Sequence, residues 1–165
     1  MKTIKFLFII SIIFSLVACN SNNNKEKTEV QTVNSTTANT TGKISEKTLK
    51  LSENQSVILI YNFHLTNRCA TCRAIEGGTI KTLETYFKNE INSERIQFFV
   101  IDVDDETNAK IAEKYQASGS GLFITRLFKG KEESKDLTEE GFSYARNDEV
   151  KFMEIIKTQL SEYLK

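Results

Sequence analysis

The stretch that most restricts this chain is residues 56–63, "SVILIYNF", a nearly unbroken run of apolar, β-favouring side chains. A strand that is apolar on both faces belongs in the middle of a sheet covered on both sides. A second run of the same kind, "RIQFFVIDVD", occupies residues 95–104. Between them, "CRAIEGGTIKTLETYFKNEI" sets Ile75, Leu83, Tyr86, Phe87 and Ile91 at roughly helical spacing. Gly77-Gly78 is expected to weaken or kink that helix, each glycine costing about 1 kcal/mol against alanine. Residues 105–116 read as a short helix before Gly119, and "LFITRLF" (122–128) as a strand running into a Lys129-Gly130 turn. "KEESKDL" suits a polar edge strand. Asn147 reads as the N-cap of a last helix with Val150, Met153, Ile156, Leu160 and Leu164 on one face. The order is strand, helix, strand, helix, strand, strand, helix. It predicts an α/β domain over 46–165, a mixed central sheet flanked by helices, with a βαβ unit leading into a terminal β-β-α.

The bulk numbers agree with one domain. The chain has 165 residues, 39% hydrophobic and 27% charged, with formal net charge zero. Balanced charge gives no electrostatic footprint for nucleic acid, which is set aside as a partner. The first residues, "MKTIKFLFIISIIFSLVAC", carry Lys2 and Lys5, an apolar stretch over 6–17, and then Ala18-Cys19. A basic start and a short apolar run make a secretory signal. Leu16, Ala18 and Cys19 resemble the lipobox of bacterial lipoproteins, which implies a signal peptide over 1–18 and lipidation of Cys19. An ordinary cleaved signal or an uncleaved anchor helix is the alternative. Within residues 19–45, the stretch 20–42 is rich in Asn, Thr and Ser, with Val30, Val33 and Ala38 as its only apolar residues. Such a segment cannot bury enough surface to offset its ordering entropy and reads as a flexible, lipid-anchored linker. The expected location is the bacterial cell envelope, membrane-held outside the cytoplasm and facing the periplasm.

Lipid on Cys19 would leave Cys69 and Cys72, in "NRCATCR" (67–73), as the free thiols. Outside the cytoplasm disulfides form and persist. C-x-x-C spacing is a weak signal alone, but here it follows a strong strand and opens a helix. Unsatisfied amides and the macrodipole at a helix start favour a thiolate, and Arg68 and Arg73 are expected to push the same way. Cys69 is therefore expected to be exposed and nucleophilic, with Cys72 shielded one turn on. Cys69 would attack a substrate disulfide and Cys72 would resolve the mixed disulfide. His64, the sole histidine, is read either as a proton acceptor near the sulfurs or as a strand-end residue that never meets them. Glu76 reads as a solvated helix residue, and "DVDDE" (102–106) as a strand end followed by an acidic helix start rather than a metal site.

The region 46–165 resembles a thioredoxin fold in "VILIYNF…CATC", "FVIDVDDETNAKIAEKYQ" and "LFITRLFKGKEE". More narrowly, "YNFHLTNRCATCRAIE" resembles a thioredoxin-like family of bacterial arsenic-resistance clusters, labelled nitrophenyl compound nitroreductase subunit of the ArsF type. That resemblance implies no cofactor beyond a redox-active disulfide. It also implies a membrane thiol donor or partner oxidoreductase, and a protein disulfide or nitroreductase subunit as the other partner. Three departures stand out. Arg68 replaces the family's tryptophan before the motif. The chain has no proline, so Ser120 and Gly121, within 119–122, would take the place of the proline that faces the cysteines. The family's buried acid is missing before the motif, with Asn62 or Tyr61 in that stretch.

Three readings follow. The first is an extracytoplasmic thiol–disulfide oxidoreductase. The second is a soft metal or metalloid holder using Cys69 and Cys72, to which His64 could add a third ligand, whereas a closed zinc site wants four. The third is a noncatalytic partner subunit braced by its disulfide. No GxGxxG is present, so nothing suggests a nicotinamide or flavin site.

Overall fold

The computed structural model describes residues 45–165. The expected signal peptide, Cys19 and all of the linker except Ser45 lie outside the described residues. The strands are β1 (Val57–His64), β2 (Ile96–Asp102), β3 (Gly121–Phe128) and β4 (Lys131–Asp136). They form one mixed sheet in the order β2-β1-β3-β4, with β1 parallel to β2 and antiparallel to β3. The 56–63 run is thus the inner strand β1, and Val57, Ile58, Ile60 and Phe63 have no exposed surface. Its alternation splits the core into two layers. Ile58 and Ile60 face one layer, with Ile75, Leu83, Phe152, Ile156 and Leu160. Val57, Leu59, Tyr61 and Phe63 face the other, with Ile111 and Tyr115. On that second side Tyr61 packs between Phe99 and Tyr115, ring centroids 5.2 and 4.9 Å away, and burial holds its hydroxyl far above the ordinary tyrosine range.

Among the described residues six α-helices flank the sheet: α1 (Glu46–Asn54), α2 (Ala70–Tyr86), α3 (Lys88–Asn92), α4 (Ala109–Lys114), α5 (Thr138–Tyr144) and α6 (Glu149–Tyr163). Helices α1 and α5 were not anticipated. Helix α1 is capped by Ser45, whose side chain accepts from the Thr48 amide, and its buried positions are Thr48 and Ser52, so no apolar periodicity announces it. Helix α5 packs through a glycine, Gly141, against Ile75, and again shows no apolar stripe. The 72–91 helix divides at Phe87 into α2 and α3, which resets the phase. Ile75, Leu83 and Phe87 are buried as the spacing implies, but Tyr86 and Ile91 are exposed. The 105–116 segment is a short 3-10 turn, Glu106–Asn108, followed by α4. Asp148, not Asn147, caps α6 by accepting from the Lys151 amide. With that start, Phe152, Met153, Ile156, Leu160 and Tyr163 face inward, while Val150 is 72% exposed. The β3–β4 hairpin turns at Lys129 and Gly130, φ 50° and 71°, the left-handed pair that a two-residue turn requires. Strand β4 is exposed and polar throughout.

Gly77 and Gly78 do not interrupt α2, which runs unbroken through both. Gly78 is where α2 meets α6: a Cβ there would stand 2.8 Å from Phe152 Cδ1, whereas one on Gly77 meets nothing within 4 Å. The two glycines therefore predict opposite signs. Gly77→Ala is expected to stabilise the domain by up to about 1 kcal/mol through helix propensity. Gly78→Ala is expected to destabilise it by about 1–3 kcal/mol through overpacking. Urea unfolding of the two variants checks this, and equal shifts would contradict it.

Candidate functional site

The end of β1, the start of β3 and the start of α2 converge at one end of the sheet, with Phe63 paired to Gly121. From β1 the chain crosses to α2 through residues 65–69, and that crossing is anchored from β2. The His64 carbonyl accepts from the Val103 amide at 2.9 Å. Thr66 donates its amide to Asp104 at 2.9 Å and its hydroxyl to Asp102 at 2.8 Å. The acidic 102–106 stretch is thereby explained: two carboxylates fasten the loop, and Asp105 caps the 3-10 turn by accepting from Thr107. Those hydrogen bonds hold the Asp105 carboxyl below its usual range.

Cys69 is the N-cap of α2 and is exposed; Cys72 lies one turn on and is 7% exposed. The two are joined as a disulfide with Cα atoms 5.1 Å apart. Cys69 Sγ accepts a hydrogen bond from the Cys72 amide at 3.0 Å. A sulfur in this seat takes the place of a capping oxygen, and an amide that donates to neutral sulfur donates more strongly to a thiolate.

The remaining expected site residues are placed as follows. His64 is partly exposed, its Nδ1 lies 3.0 Å from the Leu65 carbonyl, and it forms no hydrogen bond to either sulfur. Ser120 and Gly121 lie at the start of β3, beside the end of β1. Gly121 is tightly surrounded, since a Cβ there would stand 3.0 Å from the Phe123 ring and 3.1 Å from Thr138 Oγ1. Arg73 folds back so that Nη1 donates to the Arg68 carbonyl, beside the Cys69 peptide. Arg68 is engaged elsewhere. Its Nη2 donates to Glu76 Oε2 in an ion pair whose two side chains are each 22% exposed.

Glu76 is accordingly not a solvated helix residue. It is half-buried, four residues past Cys72, and also accepts from Asn62 Nδ2 at 3.3 Å. Asn62 is 2% exposed and is the one polar side chain that β1 sends fully into the α2 side of the core. An acid before the motif is indeed absent, but a carboxylate reaches this neighbourhood from the helix. The signal was present: Asn62 shares the face of Ile58 and Ile60, and Glu76 follows Cys72 by one turn. Among the described residues no group of three or more His, Cys, Asp or Glu converges.

Comparison with protein-family models and with curated proteins finds no match. Among solved structures, the chain is similar to oxidized thioredoxin O2 from Arabidopsis thaliana, with 14% identity, 71% of this chain and 84% of that chain covered, and a TM-score of 0.43. It is also similar to Fasciola hepatica thioredoxin, at 20% identity, 59% and 84% coverage, and TM-score 0.37. The oxidized mitochondrial thioredoxin 3 of Saccharomyces cerevisiae gives 17% identity, 58% and 83% coverage, and TM-score 0.35. What makes the fold thioredoxin-like is its own order: a parallel β1-α2-β2 unit, an antiparallel β3-β4 hairpin, and C-x-x-C at the first turn of α2.

Proposed function

We propose, from a thioredoxin-like fold with its cysteine pair at the first turn of α2, that this protein exchanges thiols and disulfides through Cys69 and Cys72. One observation carries the reading: Cys69, an exposed residue, caps the helix and its Sγ receives the Cys72 amide, while Cys72 is a buried residue. In the reduced protein the Cys69 thiolate attacks one sulfur of a substrate disulfide, forming a mixed disulfide and releasing the first substrate thiolate. Cys72 then gives up its proton and attacks Cys69 Sγ. The Cys69–Cys72 bond closes, the second substrate thiolate leaves, and two electrons have passed to the substrate. A thiol donor reverses these steps to restore the dithiol. Burial suits Cys72 to this role, because Cys69 Sγ lies within its reach whereas a substrate disulfide in solution does not.

The protein acts outside the cytoplasm, held to the membrane by lipid on Cys19 and drawing electrons from a membrane thiol donor or partner oxidoreductase. The basic, apolar leader and the Leu16, Ala18, Cys19 pattern support this placement. The resemblance around 61–76 supports a role as the electron-delivering subunit of a nitroreductase or arsenic-resistance system.

Insulin reduction with dithiothreitol as donor tests the exchange. The reduced protein is expected to accelerate precipitation of the insulin B chain, and a rate equal to dithiothreitol alone would overturn the reading. A reduction potential well below about −300 mV would instead mark the disulfide as a brace. Detergent-phase partitioning of the full chain, lost in Cys19→Ser, checks the anchor separately.

A further inference from the structure

Arg68 stands next to the nucleophile, yet its charge is spent elsewhere. Its Nη2 donates to Glu76 Oε2, and Asn62 Nδ2 donates to the same oxygen, so the carboxylate is held from two sides. Both members of the ion pair are 22% exposed, and a pair so placed is screened by solvent less than one on the open surface. Arg73, by contrast, places its guanidinium against the Arg68 carbonyl at the helix start and has no carboxylate partner among the described residues. The remaining titratable groups around the cysteines are His64, turned to the Leu65 carbonyl, and Asp102 and Asp104, both on Thr66. The other elements bring no charge to these contacts: β3 begins with Gly121-Leu122, and α5 meets α2 through Gly141 against Ile75.

We propose that Glu76 is a positioning residue that sets the redox poise of the dithiol by drawing Arg68 into a neutral ion pair along α2. With Arg68 held there, the Cys69 thiolate is supported by the helix-start amides and Arg73, and not by a second full positive charge. Holding Arg68 neutralised keeps the thiols weaker acids than a free guanidinium would, which destabilises the reduced thiolate form and poises the couple toward reducing substrates. The pair acts as a charge clamp. The inference rests on the exchange reading above for its purpose, but the poise itself is a property of the two sulfurs.

The test is a charge cycle on the reduced full chain, reading thiolate absorbance against pH and the equilibrium constant with glutathione. Glu76→Gln keeps an acceptor for Asn62 and frees Arg68. It is expected to lower the Cys69 pKa by roughly one unit, giving about tenfold more thiolate below that pKa, and to make the couple more oxidising. Arg68→Gln leaves Glu76 unneutralised and is expected to shift both readings the other way. The Arg68→Gln/Glu76→Gln double variant is expected to return close to the starting protein, and Glu76→Asp to stay near it. Opposed single shifts that cancel are a signature that loss of packing cannot produce. Shifts of the same sign, no shift in Glu76→Gln, or a double variant that fails to return would overturn the clamp. These titrations do not need a protein substrate. If the opposed shifts appear but insulin is not reduced, the exchange reading fails and the clamp stands.

Discussion

Replacing Cys69 with serine is expected to bring insulin reduction down to the uncatalysed background, a loss of about a hundredfold or more. A serine hydroxyl in the same N-cap seat still accepts the Cys72 amide, so the helix start keeps its cap and the domain its fold. What disappears is the nucleophile, because the hydroxyl stays protonated at neutral pH and no base bonds to that position. Cys72→Ser is expected to fail differently. Cys69 still attacks, but the mixed disulfide has no internal resolving sulfur and accumulates as a covalent adduct with the substrate, visible on a non-reducing gel. The asymmetry follows from placement, with residue Cys69 exposed and residue Cys72 buried. An adduct on Cys72 in the Cys69→Ser variant, or activity retained without Cys69, would reverse the assigned roles.

Phe152→Ala is expected to be the most damaging change away from the cysteines, costing about 3–5 kcal/mol in urea or thermal unfolding. Phe152 has no exposed surface and sits with Ile156 on the α6 face that closes the core over Ile75 and Leu83. Its ring lies where α2 has only hydrogen at Gly78. The two positions are therefore coupled. Gly78→Ala, destabilising alone, is expected to cost little or nothing once Phe152 is alanine, because the added methyl enters the space the ring has left. Additive losses would show that the two helices do not meet there. Because α2 also carries the cysteines, this contact fixes the axis along which Cys72 is turned inward.

The buried strands and their pairing with helices could be read because burial on both faces leaves a direct mark in composition. Residues 56–63 carry it and form the inner strand β1; residues 95–104 read the same way, yet β2 is the edge strand parallel to β1, with Ile96 and Ile101 buried and Val100 exposed. Elements with little apolar surface left no such mark. Helix α1 buries Thr48 and Ser52, and α5 buries Gly141, so neither shows a period to detect. Helix phase follows the boundaries: the break at Phe87 turns Tyr86 and Ile91 outward, and the Asp148 cap turns Val150 to solvent.

The site divides along the same line. Cys69, Cys72 and their seat at a strand-to-helix junction are local features, set by a few consecutive residues and by the amides every helix start leaves free. The fate of the charges around them is not local. Arg68 and Arg73 look alike on paper, and only the packing of α2 against β1 brings Glu76 and Asn62 to Arg68 while Arg73 keeps to the helix start.

From its sequence alone this chain is committed to an inner β1, a helix opening on two cysteines, and a polar edge at β4, because burial, capping and turn geometry act over neighbouring residues. Which glycine admits a ring and which arginine is neutralised were decided only when α2, α6 and β1 closed on one another. Those outcomes depend on distances between residues far apart in the chain, and no local pattern encodes them.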